Sequence, residues 1–444
     1  MSEPIDDGAS SLLVHPVGFE PTHLAALEPE SSVYANFTTG ANGVIRYQIM
    51  ENKARGFFKI SRRHGRDASG SMWYNFKSME IDGKNGRKAS FLSGLPDAPR
   101  SLSRQDLVRL LEWPDARELF AAAYDVKIRE VGRAVSLRGL VECGNICAKN
   151  CLYCGIRRDN RNVHRYRMSA DEIVRRAELA FEAGYGNLVL QSGEIESEEN
   201  TAFIERVLRR VRERFGDGFG VTLSLGEQSD DTYRRWRDAG AHRYLLRIET
   251  SSPELYARLH PAGHSWRRRR ECLRSLRRNG YQVGSGVMCG LPGQTIDDLA
   301  ADIEFFAEED LDMIGMGPYI PHADTPLGRD AQWTPDVAAR RLELGLRMIA
   351  VTRLHLRDVN IAASTALQAL APDGRERGLL AGANVIMPNV TDVKYRSDYL
   401  LYEGKPVDDE NSCGSRKALE RSISAIGEGI NWNMRGDSPH WGRR

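Results

Sequence analysis

The chain has 444 residues, 41% hydrophobic and 28% charged, enough to bury a large core and too long for a minimal single fold. Lys plus Arg number 62 against 61 Asp plus Glu, and the formal charge of +1 argues against a dedicated nucleic-acid binder. No apolar run nears the ~18 residues of a membrane span and no secretory signal opens the chain. Seven cysteines are odd in number and sparse, which fits a reduced, cytoplasmic chain using some of them as ligands better than a disulfide framework.

Residues 1–100 read as a low-complexity, disordered extension, rich in Gly, Ser, Asn and Lys without a sustained period. Residues 17–41 (VGFEPTHLAALEPESSVYANFTTGA) resemble the peptide obtained when a tRNA gene is translated by mistake. On that reading the true start lies near Met72 or Met79; the alternative is a natural disordered tail. Residues 101–132 form a helical prefix: Ser103 with Asp106 approximates a capping box, Leu107, Leu110 and Leu111 recur at helical spacing, and Pro114 opens a second helix bearing Leu119, Phe120 and Ala123.

From 133 to 400 short apolar strands alternate with amphipathic helices. Strands are expected at 135–143, 187–191, 220–225, 244–248, 283–288, 313–317, 360–363 and 384–388. Capping boxes at Ser169/Glu172 and Thr295/Asp298 start two helices, and Gly184, Gly240 and Gly280 stop three. Eight units in about 250 residues predict an α/β fold, a complete (β/α)8 TIM-type barrel, with an open doubly wound sheet as the alternative. Residues 401–444 are expected to form a C-terminal extension closing the barrel.

The connection from Cys143 to Ser169 is far longer than an ordinary strand–helix turn. It carries Cys147, Cys151 and Cys154 in C-A-K-N-C-L-Y-C. Three thiolates on a tight loop can hold three irons of one [4Fe–4S] cluster and leave the fourth iron open. Structural zinc with Cys143 as fourth ligand is the competing reading, though the spacing lacks a second C-x2-C knuckle.

The C-x3-C-x-aromatic-C string after the first strand resembles the radical S-adenosylmethionine (SAM) superfamily. That resemblance implies a SAM molecule bound to the open iron and cleaved reductively to a 5′-deoxyadenosyl radical. Tyr153 would pack beside the cluster and adenine. Gln191-Ser192-Gly193-Glu194, ending the second strand, stands where the superfamily receives the SAM ammonium. In Leu246-Arg247-Ile248-Glu249-Thr250, alternation puts Arg247 and Glu249 on one face. They are either a rim ion pair or the partners of SAM carboxylate and of its ammonium or ribose. Arg267–Arg270 reads mainly as a solvated face, but Arg269 shares a helix face with Trp266 and Cys272 and suits a carboxylate.

The strings YCGIRRDN (153–160), RYRM (165–168), GSGVMCGLPGQTIDD (284–298), DMIGMGPYIPHADTPL (312–327) and GANVIMPN (382–389) resemble the HydE family of [FeFe]-hydrogenase maturases over roughly 101–441. Biotin synthase and methylornithine synthase share the cysteine motif, and a relative of those acting on another small molecule is the alternative. The HydE resemblance implies that Cys147, Cys151 and Cys154 hold the cluster, and that Glu249, Arg247 and Arg269 hold SAM. Met313, Pro318 and Ile320 would contact the adenosine, and Tyr399 would lie in the cavity near SAM. Thr250, Ser251, Tyr319, His322, Thr365 and Arg396 would line a substrate cavity, with His322 equally readable as a surface-loop histidine. The implied substrate is a small cysteine-bearing iron complex, with the maturases HydG and HydF as partners and with neither nucleic acid nor membrane. Some relatives carry a second cluster on three C-terminal cysteines; here Cys413 stands without the others, with Val407 and Arg416 near their places, so one cluster is expected.

Overall fold

The computed structural model describes residues 33–39, 45–51, 63–66, 72–75, 92, 94–95, 97–407 and 412–444, the side chains of 33–75 and 412–415 excepted. It divides into two units, Met1–Arg87 and Lys88–Arg444. In the first, β1 (Val33–Thr39) pairs antiparallel with β2 (Ile45–Glu51), and β3 (Arg63–Arg66) with β4 (Met72–Asn75). Most of the expected extension, including residues 17–32 and Met79, lies outside the described residues.

The second unit is built on a parallel sheet. Its ladder runs, in chain order, through β6 (Gly139–Gly144), β7 (Asn187–Ser192), β8 (Gly220–Ser224), β9 (Arg243–Leu245), β10 (Gln282–Ser285), β12 (Met313–Ile314) and β14 (Asn360–Ile361). Two further short strands, β11 (Met288–Cys289) and β13 (Gly317–Pro318), pair beyond the ends of β10 and β12. The first expected strand is split. Its start, β5 (Ala134–Leu137), pairs with β15 (Val385–Ile386) and β16 (Gly429–Asn431) in a separate three-stranded sheet.

The break between β5 and β6 is Arg138. It is fully buried, and its guanidinium turns inward to the Met313 sulfur and the Gly436 carbonyl. The continuous ladder therefore has seven strands and does not itself close, where an uninterrupted eight-stranded barrel was expected. The segment around β15 still bonds to both edges. Ala363 N–H donates to the Val385 carbonyl at 2.9 Å, and Leu140 N–H to the Pro388 carbonyl at 2.8 Å.

Helices cover the sheet for the reasons their sequences give. In Glu198–Phe215, Ile204, Val207, Leu208 and Val211 fall at the i, i+3, i+4, i+7 positions of one buried stripe. The capping boxes at Ser103, Ser169 and Thr295 all form, and Gly184, Gly240 and Gly280 take positive φ just past their helices. The prefix helices Arg104–Leu111 and Ala116–Glu130 pack on the helices Ile296–Glu308 and Pro335–Leu356; the second starts at an Asp115 cap, one residue beyond Pro114.

The C-terminal extension divides in two. Residues 435–438 cross the starting ends of the strands, where the Arg435 carbonyl accepts from Asn187, the Gly436 carbonyl from Asn360, and Asp437 from Gln282. Residues 398–405 lie at the finishing ends, with the Leu401 carbonyl accepting from Gly155 N–H.

Candidate functional site

All the strands of the ladder point the same way, so the segments that follow them gather at one end. There the 145–168 loop carries the three cysteines. It is long but held. The Arg165 guanidinium donates to the carbonyls of Asn145, Ile156, Arg157 and Asn160 at 2.6–2.9 Å, and Asn145 ties His164 and Asp398 together. Leu152 N–H reaches the Leu259 carbonyl at 2.9 Å.

Cys147, Cys151 and Cys154 are half-buried free thiols. Glu194 N–H points at the Cys147 sulfur, 3.3 Å away, and the Ala148 N–H donates back to the Glu194 carbonyl. At Gly193 an added Cβ would collide with the Ile146 carbonyl and stand 2.8 Å from the Cys147 Cβ, so only glycine lets the two loops meet. Burial pushes the Cys151 thiol up to about 12 and raises Cys147 as well, so metal loading must displace protons. Cys143 does not complete a four-cysteine set: it lies in β6, packed in the core, with its thiol on the Val141 carbonyl. Three thiols on one short, held loop, beside a backbone N–H aimed at sulfur, suit a cluster with one open iron.

Glu194, Glu227, Lys149, Arg268 and Arg269 form a charge cluster beside the loop. Lys149 stands 3.2 Å from Glu194 and 3.0 Å from Glu227; Arg269 donates to Glu227 at 2.8 Å, to the Arg247 carbonyl at 3.1 Å and to Glu194 at 3.5 Å. Arg269 was expected to hold SAM directly, but each of its nitrogens is already engaged within the protein. Burial raises Glu194 despite the nearby Arg269. At Glu227 burial pulls upward too, and Arg269 with Lys149 outweighs it, leaving that carboxyl low.

Arg247 and Glu249 do come together. Arg247 Nη2 stands 3.0 Å from Glu249 Oε2 without hydrogen-bond geometry, and neither that buried oxygen nor Arg247 Nε makes a hydrogen bond. Glu249 has φ of 69°, the left-handed region that costs a non-glycine residue of order 1–3 kcal/mol. Gly286 and Met288 hold it there, Glu249 donating to one and accepting from the other. A strained residue past the end of β9, with a carboxylate oxygen that still lacks a hydrogen bond, fits an incoming ammonium or hydroxyl.

Tyr153 sits edge-on to His260 and packs against an apolar group of Leu255, Leu259, Met288, Leu291 and Tyr319. Gln191 donates to the Tyr399 hydroxyl at 3.2 Å, and Ser192 turns onto the Gly193 carbonyl. Pro318, the last residue of β13, and Ile320, two residues past it, are buried. Met313 is not among them: it opens β12, against Gly284 and Arg138, because the strand starts there.

Of the substrate candidates, His322 is buried against the cysteine loop, its Nε2 standing 2.7 Å from where a Gly155 Cβ would be, so it is no surface histidine. Tyr319 presents a buried hydroxyl and Ser251 a buried Oγ without partners. Thr250 is buried and takes up Ser252 N–H, and Thr365 is half-buried at a helix start. Arg396 is turned inward onto the carbonyls of Thr391, Val407 and Asn389, a brace for the turn, where a lining residue was expected. The Cys413 side chain lies outside the described residues.

Sequence reasoning missed Glu227, Lys149, and the buried pair in which Lys405 donates to Glu142 at 2.5 Å and to the Tyr399 carbonyl at 2.7 Å. Glu227 had a signal: Gly226-Glu227 follows β8 as Gly193-Glu194 follows β7. Gly226 lies directly against the Glu194 side chain, where a Cβ would not fit.

The sequence profile of the Radical SAM superfamily matches residues 141–306. The chain is 44% identical over 319 residues to the [FeFe] hydrogenase maturase subunit HydE of Thermotoga maritima, covering 71% of this chain and 88% of that one. It is 28% identical to 3-methylornithine synthase of Methanosarcina acetivorans, over 64% and 79% of the two chains. Among solved structures, methylornithine synthase (PylB) superposes with a TM-score of 0.63 at 23% identity, over 78% of this chain and 97% of that one. The maturase HydG from Carboxydothermus hydrogenoformans superposes with 0.62 at 19%, over 73% and 75%; both likenesses speak for the fold alone.

Proposed function

The chain belongs to the HydE family of [FeFe]-hydrogenase maturases within the radical SAM superfamily, and from that membership we propose how its own residues serve the reaction. It is a radical SAM enzyme using a [4Fe–4S] cluster and SAM on a small-molecule substrate in hydrogenase maturation. When bound, the cluster supplies the electron that cleaves SAM to a 5′-deoxyadenosyl radical.

Cys147, Cys151 and Cys154 hold the cluster. The Ser192–Glu194 backbone, Arg247 and Glu249 receive the amino-acid end of SAM, and Arg269 positions them through Glu194, Glu227 and the Arg247 carbonyl. Tyr153, with its apolar group, covers the loop, and Pro318 and Ile320 shield the adenosine. An unselective carbon radical demands that water be kept out and one substrate atom held close. Residues 398–405, anchored by Lys405 on Glu142, are read as the cover, and Tyr319, Ser251 and His322 as polar substrate contacts. The barrel is read as closed, with 134–144 one strand broken at Arg138 and β15 as the eighth member.

The substrate is a cysteine-bearing iron complex handed over in the cytoplasm by HydG, and HydF is the other partner maturase. No helix of the described residues is long and apolar enough to cross a membrane.

The observation carrying this reading is the three-thiol loop locked against Gly193 and Glu194. Anaerobic reconstitution with SAM and a reductant tests it. 5′-Deoxyadenosine should form and vanish in Cys151→Ala, and the wild-type gene should restore a HydE-deficient strain. Product formation without restoration would favour a methylornithine or biotin synthase-like substrate.

A further inference from the structure

The segment after the helix Pro253–Leu259 bears two histidines four residues apart, His260 and His264, and is latched to the cysteine loop through Leu259 and a 3.4 Å approach of Asn150 N–H to His264. His260 is 4% exposed. Its Nδ1 lies 2.8 Å from the Tyr256 carbonyl, which can only accept, so Nδ1 carries the proton and Nε2 keeps its lone pair. That Nε2 is buried with no hydrogen-bond partner. The ring is fixed by stacking on Tyr256 at 3.9 Å and on His264 at 5.5 Å, with Tyr153 edge-on.

One ring nitrogen of each histidine and the Cys151 sulfur all lie within 4.8 Å of one another, the single such trio among the described residues. A carbonyl-bonded imidazole offering its other nitrogen is the usual form of a metal-ligating histidine. Two imidazoles and a thiolate, completed by a water ligand, suit zinc-class divalent ions. Bonds of about 2.0–2.3 Å set a tetrahedral ligand spacing of roughly 3.3–3.8 Å, so the ligand atoms would close by at most about 1.5 Å.

We infer that, before the cluster is assembled, Cys151, His260 and His264 bind one divalent transition ion of the zinc class, and that this ion and the cluster exclude each other through Cys151. On binding, the thiol proton leaves to solvent. The ion site stands without the cluster assignment; the exclusion rests on it.

The test is anaerobic titration of the cluster-free full chain with cobalt(II). One ion per chain is expected, with tetrahedral d–d bands and a sulfur-to-cobalt charge-transfer band. Affinity should fall more than about tenfold in His260→Ala and in His264→Ala, and the charge-transfer band should vanish in Cys151→Ala. Cys147→Ala and Cys154→Ala should bind as the wild type does. His264, half-exposed, is the variant least able to disturb the fold, and melting of each variant checks it. Unchanged affinity in both histidine variants overturns the site, as does equal loss in Cys147→Ala, which would mean an ion held by the cysteines. Zinc preloading should slow cluster reconstitution in the wild type and not in His264→Ala. Equal uptake with and without zinc overturns the exclusion, while cluster formation itself separately reports the cysteine assignment.

Discussion

Arg269→Met removes one cation from a cluster in which two buried carboxylates share three. Glu227 is 1% exposed and Glu194 and Arg269 each 9% at the side chain, whereas Arg268 is half-exposed and its 3.3 Å contact counts for little. The variant leaves Lys149 alone between Glu194 and Glu227, and breaking such a buried pair costs about 3–5 kcal/mol. Replacing Glu227 by Met as well leaves Lys149 and Glu194 matched one to one, so the double variant should recover about 2–3 kcal/mol as coupling. The sign with pH follows from Glu194. Burial already raises it, and losing Arg269 raises it further, so its folded value stands above its unfolded one. The deficit therefore grows as pH rises through that window and is smallest in acid. Urea denaturation of the cluster-free chain at acid and alkaline pH, followed by circular dichroism, measures Arg269→Met, Glu227→Met and the double variant. A single variant within about 1 kcal/mol of wild type, or deficits that simply add, would refute the reasoning.

Two further outcomes follow from the same end of the sheet. Glu249→Gly relieves the φ of 69° and removes a pair whose arginine is a third exposed, worth at most about 1 kcal/mol, so melting should hold or rise while SAM binding by calorimetry is lost; a loss above about 2 kcal/mol would contradict the strain. Asp302, fully buried under the Ser251 N–H at 2.6 Å, is pushed up by burial to about 7. Its folded value exceeds its unfolded one, so the wild type loses stability as pH rises between them. Asp302→Asn should therefore gain more over wild type at pH 8 than at pH 5, and a constant difference would contradict that.

The strand–helix units were legible because period and caps agree: Ser103, Ser169 and Thr295 cap where the sequence says they should. The split of the first strand was not, since a buried Arg138 looks no different in sequence from an exposed one. Cysteine spacing announces its loop, because three thiols so close have few other uses. Arg269 shows the limit of such reading: helical spacing puts it on a face, but its partner Glu227 comes from another strand end. The Glu142–Lys405 pair joins residues 263 positions apart in the chain, and His260 and His264 straddle a Pro-Ala-Gly turn that hides their spacing. Met313 was misplaced because an apolar strand residue reads alike at either end of its strand.

Cleavage of SAM requires an iron with no protein ligand that SAM can reach. Electron paramagnetic resonance of the reduced, anaerobically reconstituted chain tests this directly: one cubane signal per chain is expected, its g-values moving on addition of SAM and the signal absent in Cys151→Ala. A cubane whose spectrum is indifferent to SAM, or none at all, would contradict it.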